Sequence, residues 1–409
     1  MTRTKATLLL VMLALQSLCA ATPNIQKTEL FVGGDKDHKL YRIPGIVVTK
    51  RGTVLVYCEG RRKTGSDWDT IDIMLRRSTD GGKTFREQNV IGQVQVPLQR
   101  SPVAIEKKQG KPDDVTYNNP VAIVDRNGTV HFIFCIDYMR VFYMSSKDDG
   151  QIFSKPVEIT QAFDSLRPKY AWRVVATGPG HGIQLSNGRL LVASWVSLGL
   201  NGNGHGPSAN TTLYSDDHGK TWHVQGLAIP DSTEFPSSNE TEAVQLADGS
   251  VMLSVRTPST KNRRVITTSK DGAANWATPH YQSDLPDPHC MAGIVRFSTA
   301  KKGGKDRLLF SNPDNLTRTD GRDVPGKDRK NVSVRVSYDE GASWTVKRTI
   351  EAGPSGYSDL AVLPDGTILC FYEASKNGAT GNYAERLLLA RFSLEWLTDG
   401  KDNWTRKSK

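Results

Sequence analysis

The sequence predicts an all-β chain folded as a six-bladed β-propeller, and three observations carry that prediction. An octapeptide of the form SxDxGxx(W/F) begins at Ser78, Ser146, Ser215 and Ser337, and a degenerate copy from Ser269 to Trp276 moves its glycine to Gly272. These five starts are separated by 68, 69, 54 and 68 residues, and such a recurring interval marks a repeat architecture. Between them, apolar runs alternate with a period of two and are broken by DG, NG or DRNG turns, as antiparallel hairpins require. Helical periodicity of any length is absent. At about 65 residues per unit the chain holds roughly six blades, within the range of propellers built from four-stranded sheets.

Taken in order, Met1 to Ala21 reads as a cleaved export signal. Arg3 and Lys5 open it, Ala6 to Leu15 form its apolar core, and Ala20 and Ala21 follow as small residues. That core is too short for a permanent membrane anchor, so no stable membrane insertion is expected. Cys19 makes lipid anchoring a rival, but Leu18 stands where a lipobox needs a small residue. The protein is therefore expected to be exported, to the periplasm or beyond, with residues 22–409 forming one propeller domain. In that part Cys58, Cys135, Cys290 and Cys370 remain, three of them inside apolar strand-like runs, which favours buried fillers over crosslinks. With neither CxxC nor HExxH, no zinc site and no cofactor are expected. The formal net charge is +10, two less once Arg3 and Lys5 leave. Its basic residues are scattered rather than striped with aromatics, which argues against nucleic acid and leaves a field that favours an acidic ligand.

Hairpins are expected at Val47 to Tyr57, Val121 to Phe134, Ile183 to Trp195, Ala243 to Val255 and Ala361 to Tyr372. In each octapeptide, Ser and Asp can satisfy the N–H groups of a tight turn, Gly supplies a positive φ, and the aromatic packs back on the blade. Its aspartates are structural, since identical residues in several blades cannot all face one site.

Strand ends gather round a propeller's axis, so arginines at strand ends in different blades can converge. Arg42 follows Tyr41 at the head of the first strong strand, Arg62 follows the second, Arg256 ends VMLSVR, and Arg329 opens RKNVSVRVS. A guanidinium fork meets a carboxylate with two hydrogen bonds, and three forks round one point would clamp it from several sides. Asp67 lies in the loop after Arg62, Glu240 and Glu242 precede the strand ending at Arg256, and Tyr357 enters the last strong strand. A glutamate beside a tyrosine inside an arginine cluster could draw off the phenolic proton.

These features together resemble the bacterial exo-sialidases of glycoside hydrolase family 33: the YRIP sequence near the start, the repeated boxes, and the spaced Asp, Glu, Arg, Arg and Tyr. The resemblance covers nearly all of the chain beyond the signal. It implies that Arg42, Arg256 and Arg329 hold the carboxylate of sialic acid, with Arg335 a rival for the third place, and that Arg62 faces the substrate. It implies Asp67 as the acid, with Asp69 and Asp72 close by; Tyr357 as nucleophile; Glu240, rather than Glu242, as its partner; and Glu373 as the buttress of the first arginine. Most retaining glycosidases attack with a carboxylate, and sialidases with a tyrosine are the exception. Sialic acid carries a carboxylate on the carbon attacked, so a carboxylate nucleophile would meet a like charge at about 4 Å, costing about 4 kcal/mol at an effective dielectric near 20.

The expected partners are sialylated glycans such as mucins, other glycoproteins and gangliosides. A sialoglycan-binding propeller without catalysis would keep the arginines and lose Tyr357, Asp67 or Glu240, and all three are present. Transfer to a sugar acceptor is the rival reaction. For an N-acetyl pocket, the loop QGKPDDVTYNNP offers Asn118 and Asn119 without singling out either. The segment LGLNGNGHGPSAN around His205 reads as a rim loop or simply a long blade connection.

Overall fold

The computed structural model describes residues 24–300, 304–378 and 381–404; the expected export signal, Cys19 included, lies outside them. Its strands form six blades round a central axis. The first holds β2 (Leu40–Val48), β3 (Val54–Arg61), β4 (Ile71–Ser78) and β5 (Asn89–Ile91), and β1 (Gln26–Val32), which precedes them in the chain, belongs to another blade. The second holds β6 (Tyr117–Val124), β7 (Val130–Ile136), β8 (Arg140–Ser146) and β9 (Val157–Glu158). The third holds β10 (Val174–Thr177), β12 (Ile183–Gln184), β13 (Leu190–Ser197), β14 (Ser208–Ser215) and β15 (Leu227–Ile229), while the short β11 (Gly180–His181) lies parallel to β6. The fourth holds β16 (Thr241–Gln245), β17 (Val251–Val255), β18 (Arg263–Ser269) and β19 (His280–Pro286).

Blades five and six share a strand. After β20 (Gly293–Ser298), β21 (Arg307–Pro313) and β22 (Lys330–Ser337), the 17-residue β23 (Val346–Val362) pairs first with β22 and then, from Ser355, with β24 (Ile368–Ala374). β25 (Arg386–Phe392) follows, and β1 pairs with it, so the last blade is completed by the start of the described chain. The expected hairpins correspond to β2/β3, β6/β7, β12/β13, β16/β17 and β23/β24. The four cysteines are free and buried. No helix of the described residues is long and apolar enough to cross a membrane.

Each octapeptide closes the turn between the third and fourth strands of its blade, as the box at Ser215 illustrates. Ser215 Oγ donates to Asp217 Oδ1 at 2.8 Å and accepts from the Gly219 N–H at 2.8 Å, and Asp217 accepts from the N–H and hydroxyl of Thr221 at 2.9 and 2.6 Å. Gly219 takes φ +83°, which costs a residue with a Cβ but not glycine. Trp222 then folds into a core with Leu213 and Val224. In the degenerate box Gly272, at φ +71°, still donates to Ser269 Oγ at 3.1 Å, so the staple survives the shift.

Because the boxes join third strands to fourth, they lie at the end of each blade opposite to the starts of the innermost strands. At those starts the ladders are bulged, between Arg42 and Gly45, Asn118 and Val121, and Ser355 and Ser358. A bulge re-aims side chains at a strand end. Ile43 takes φ +62° there, a strained state for a β-branched residue, and its N–H is held by Glu373 Oε1 at 3.2 Å.

Candidate active site

The bulged ends bring together side chains from four blades. Tyr357, in β23, is 4% exposed, and its hydroxyl donates to Glu240 Oε1 at 2.6 Å. Arg256, just past β17, donates from Nη1 to the same hydroxyl at 2.9 Å and stands 2.7 Å from Glu240 Oε2, while its Nε donates to Asn239 Oδ1 at 2.7 Å. Arg42, in β2, places its guanidinium 4.9 Å from the centre of the Tyr357 ring, and Arg329, just before β22, lies 5.1 Å from it. Tyr357 is thus ringed by three guanidinium groups and touched by one carboxylate.

Each arginine is held by a different device. Arg42 donates from Nε and Nη2 to the two oxygens of the fully buried Glu373 at 3.0 and 3.3 Å. Arg256 leans on Glu240 and Asn239. Arg329 donates to the Tyr383 hydroxyl at 3.0 Å and the His289 carbonyl at 2.7 Å, both neutral acceptors, and forms no ion pair among the described residues. A guanidinium without a carboxylate beside two others is a ready place for an anion. Burial and the neighbouring Arg256 and Arg329 push the His289 imidazole down to about 2, so it adds no charge. A cleft of about 750 Å³ lined by Lys327, Arg329, Lys330 and Tyr383 opens beside this corner.

The electrostatics of the tyrosine are those of a group that needs a base. Burial pushes the phenol well above its ordinary value, and Arg256, Arg329 and Arg42 work against that rise. The proton therefore rests on oxygen until a partner takes it, and Glu240 is in place to do so.

Asp67 projects from the loop between β3 and β4, 39% exposed, with Oδ1 2.7 Å from Arg61 Nη1. Burial opposes ionisation, but Arg61 outweighs it and, with His205 and Arg42, holds the carboxyl well below the usual range. Its two rivals are occupied elsewhere. Asp69 accepts the N–H groups of Lys63 and Gly65 at 3.0 and 2.9 Å and shapes the loop, and Asp72 pairs with His38 and Arg62.

Arg62 departs from expectation. Its Nε binds Asp72 Oδ2 at 2.6 Å, outside the cluster, and the neighbour Arg61 takes the inward place, donating to Glu59 Oε2 from Nε and Nη2 at 3.1 and 2.7 Å. The reason is strand parity. In β3 every second side chain shares a face, so Glu59 and Arg61 point one way and Arg62 the other. Glu59 and Arg61 are both buried, and that alternation, run to the end of the strand, would have found Arg61 in the sequence. Tyr383 had no such sign, since it comes from a loop after β24.

Other residues fall as follows. Arg335 points away, pairing with Asp314 at 2.7 Å. Asn118 donates to the Asp67 carbonyl at 3.4 Å and accepts the Tyr138 N–H, whereas Asn119 donates to Glu59 and to the Thr177 carbonyl. The loop between β13 and β14 packs down at the rim: His205 stacks on Trp195 at 5.4 Å and meets Tyr138 edge-on at 6.2 Å, with Trp68, next to Asp67, 5.0 Å beyond Tyr138. Further along the axis His181, Glu242 and Asp359 could in principle ligate an ion. Their carboxylate oxygens already accept backbone N–H groups, and the imidazole supplies the counter-charge.

Residues 99–370 match the family model of the BNR repeat-like domain. A sialidase of Micromonospora viridifaciens is 30% identical over 402 residues, covering 92% of this chain and 55% of that protein. A sialidase of Bacteroides fragilis (strain YCH46) is 28% identical over 371 residues, covering 84% of this chain and 61% of that protein. The chain thus spans less than two thirds of either relative. Among solved structures, the Hadza microbial sialidase Hz136 superimposes with a TM-score of 0.73 at 24% identity, over 91% of this chain and 69% of that one, and shares the fold. A box-stapled six-bladed propeller, a BNR match over most of its length and sialidase relatives along nearly all of it lead to one statement: the chain belongs to the sialidase (neuraminidase) family.

Proposed function

We propose that this protein is an exo-α-sialidase, hydrolysing terminal α-linked sialic acids from glycoproteins, glycolipids and oligosaccharides with retention at C2. The observation that carries the reading is the 2.6 Å hydrogen bond from Tyr357 to Glu240 inside a ring of three guanidinium groups. Arg42, Arg256 and Arg329 receive the substrate carboxylate, which places C2 over the phenol. Tyr357 Oη attacks C2 as its proton passes to Glu240. The bond from C2 to the aglycone oxygen breaks, and that oxygen takes a proton from Asp67. Water then attacks C2, giving its proton to Asp67, and the released tyrosyl oxygen recovers its own from Glu240.

In the free protein Asp67 is held ionised by Arg61, the wrong state for an acid. Arrival of the sugar supplies the change, because its carboxylate adds a negative charge among the arginines while its ring excludes water. Both effects raise the pKa of a nearby carboxyl. Arg61 takes the substrate-facing part expected of Arg62.

The test is hydrolysis of a 4-methylumbelliferyl sialoside by wild type and by Tyr357→Phe. Wild type is expected to release the fluorophore, and the variant to lose at least about 100-fold, the scale of a lost catalytic participant. Trapping with a 2,3-difluorosialic acid should place the adduct on the peptide containing Tyr357. Equal rates, or an adduct elsewhere, would remove Tyr357 from the mechanism.

A further inference from the structure

The two side chains at the centre of the site come from strands that never pair. Glu240 adjoins β16 of blade four and Tyr357 lies in β23 of blade six, with blade five between them. Their 2.6 Å contact is therefore not set by a shared ladder.

Two residues along each strand, and on the same side because side chains alternate, stand Glu242 and Asp359, both without solvent exposure. His181 joins them. Its Nδ1 lies 2.8 Å from Asp359 Oδ1 and 3.5 Å from Glu242 Oε1, and its N–H donates to Glu242 Oε1 at 3.0 Å. The remaining oxygens reach further blades: Glu242 Oε2 accepts the Ile294 N–H of β20 at 2.7 Å, and Asp359 Oδ2 accepts the Ile46 N–H of β2 at 2.8 Å. Five parts of the ring, β2, β11, β16, β20 and β23, meet in one buried cluster. The preceding residue is shaped to permit this, since a Cβ on Gly180 would stand 1.6 Å from Glu242 Oε1.

We propose that His181 is a positioning residue, which bridges Glu242 and Asp359 beneath the reacting pair and so sets the distance between Tyr357 and Glu240. The proposal rests on the reading that those two residues react. Two buried carboxylates this close repel unless a cation lies between them. Burial alone would discharge the imidazole, but Asp359 and Glu242 reverse that and raise it well above its ordinary value. Burial and Asp359 push Glu242 up in turn. Among the groups packed near the cluster, the Tyr57 hydroxyl, which donates to the Gly180 carbonyl at 2.7 Å, and the Cys370 thiol are kept protonated by burial, while Arg126 and Arg296 line the cleft onto which His181 opens. Without the bridge, Glu242 takes up a proton rather than face Asp359 as a second anion, and the link that ties β16 to β23 is lost two residues from the point where they must hold a 2.6 Å contact.

The experiment measures kcat and KM on the 4-methylumbelliferyl sialoside for folded His181→Gln. Because the three clamp arginines are untouched, kcat is expected to fall by about 10- to 100-fold, the cost of misplacing reacting groups, with KM within about twofold of wild type. The double variant His181→Gln/Glu242→Gln removes a side chain that has already lost its partner and is expected to stay within about twofold of the single variant. An unchanged kcat, a loss confined to KM, or a double variant in which the two losses add would overturn the proposal. Should His181→Gln not fold, Glu242→Gln decides alone: a kcat lowered by at least about threefold at constant KM supports the bridge, and an unchanged kcat refutes it. If Tyr357→Phe keeps wild-type activity, the mechanism itself fails; if it loses activity while these variants do not, only the positioning role fails.

Discussion

Replacing Glu373 with glutamine changes one oxygen to an amide nitrogen at constant volume, at a position with no solvent exposure. The carboxylate accepts four hydrogen bonds: Arg42 Nε at 3.0 Å and the Ile43 N–H at 3.2 Å on Oε1, Arg42 Nη2 at 3.3 Å and the Tyr357 N–H at 3.0 Å on Oε2. Whichever way the amide turns, its NH2 faces two donors. A buried group left without its partner costs about 1–3 kcal/mol. Two of them, one on a cation, bring the loss to about 3–5 kcal/mol, the range for a broken buried ion pair. Part of that loss reaches catalysis, because the same carboxylate fixes the first clamp arginine and the backbone of Tyr357. We expect kcat/KM on the 4-methylumbelliferyl sialoside to fall about 100-fold, or about 2.7 kcal/mol, with a lower urea midpoint for unfolding. Stability within about 1 kcal/mol of wild type, together with kcat/KM within about threefold, would refute the reasoning.

Arg61→Ala strands the buried Glu59 and frees Asp67, so we expect a kcat/KM loss of at least about 100-fold and a lowered melting temperature, whereas Arg62→Ala, removing a partly exposed pair, should stay within about threefold. Kinetics and melting of the two variants side by side check which arginine faces the substrate. Burial raises Asp217, but its bonds from Thr221 and Ser215 outweigh that and hold it down at about 2. Its folded-state value lies below the unfolded one, so its contribution to stability is present above about pH 4 and fades as the pH falls towards 2. Melting temperatures of wild type and Asp217→Asn should accordingly differ at neutral pH and converge in acid, as calorimetry across that range would show.

Much of the architecture was legible because it is written locally. The boxes announce themselves through turn chemistry that Ser, Asp and Gly perform within eight residues, and the hairpins through alternation of neighbours. What lies between blades was less legible. The grouping of Arg42, Arg256, Arg329, Glu240, Tyr357 and Glu373 is visible in the sequence through resemblance, and the structure brings these six side chains together. Arg62 stands out in the sequence as the arginine after the second strand, but the alternation of side chains along β3 turns its neighbour Arg61 inward instead. Tyr383 carried no pattern at all.

By itself, the sequence determined the repeat, the stapled turns and the alternating strands, since each depends on residues only a few positions apart. The tertiary structure alone decided that β1 completes the sixth blade, that Tyr383 meets Arg329, and that His181 lies between Glu242 and Asp359. Those are contacts between residues tens to hundreds of positions apart, fixed by how the blades close round the axis, and no local period encodes that closure.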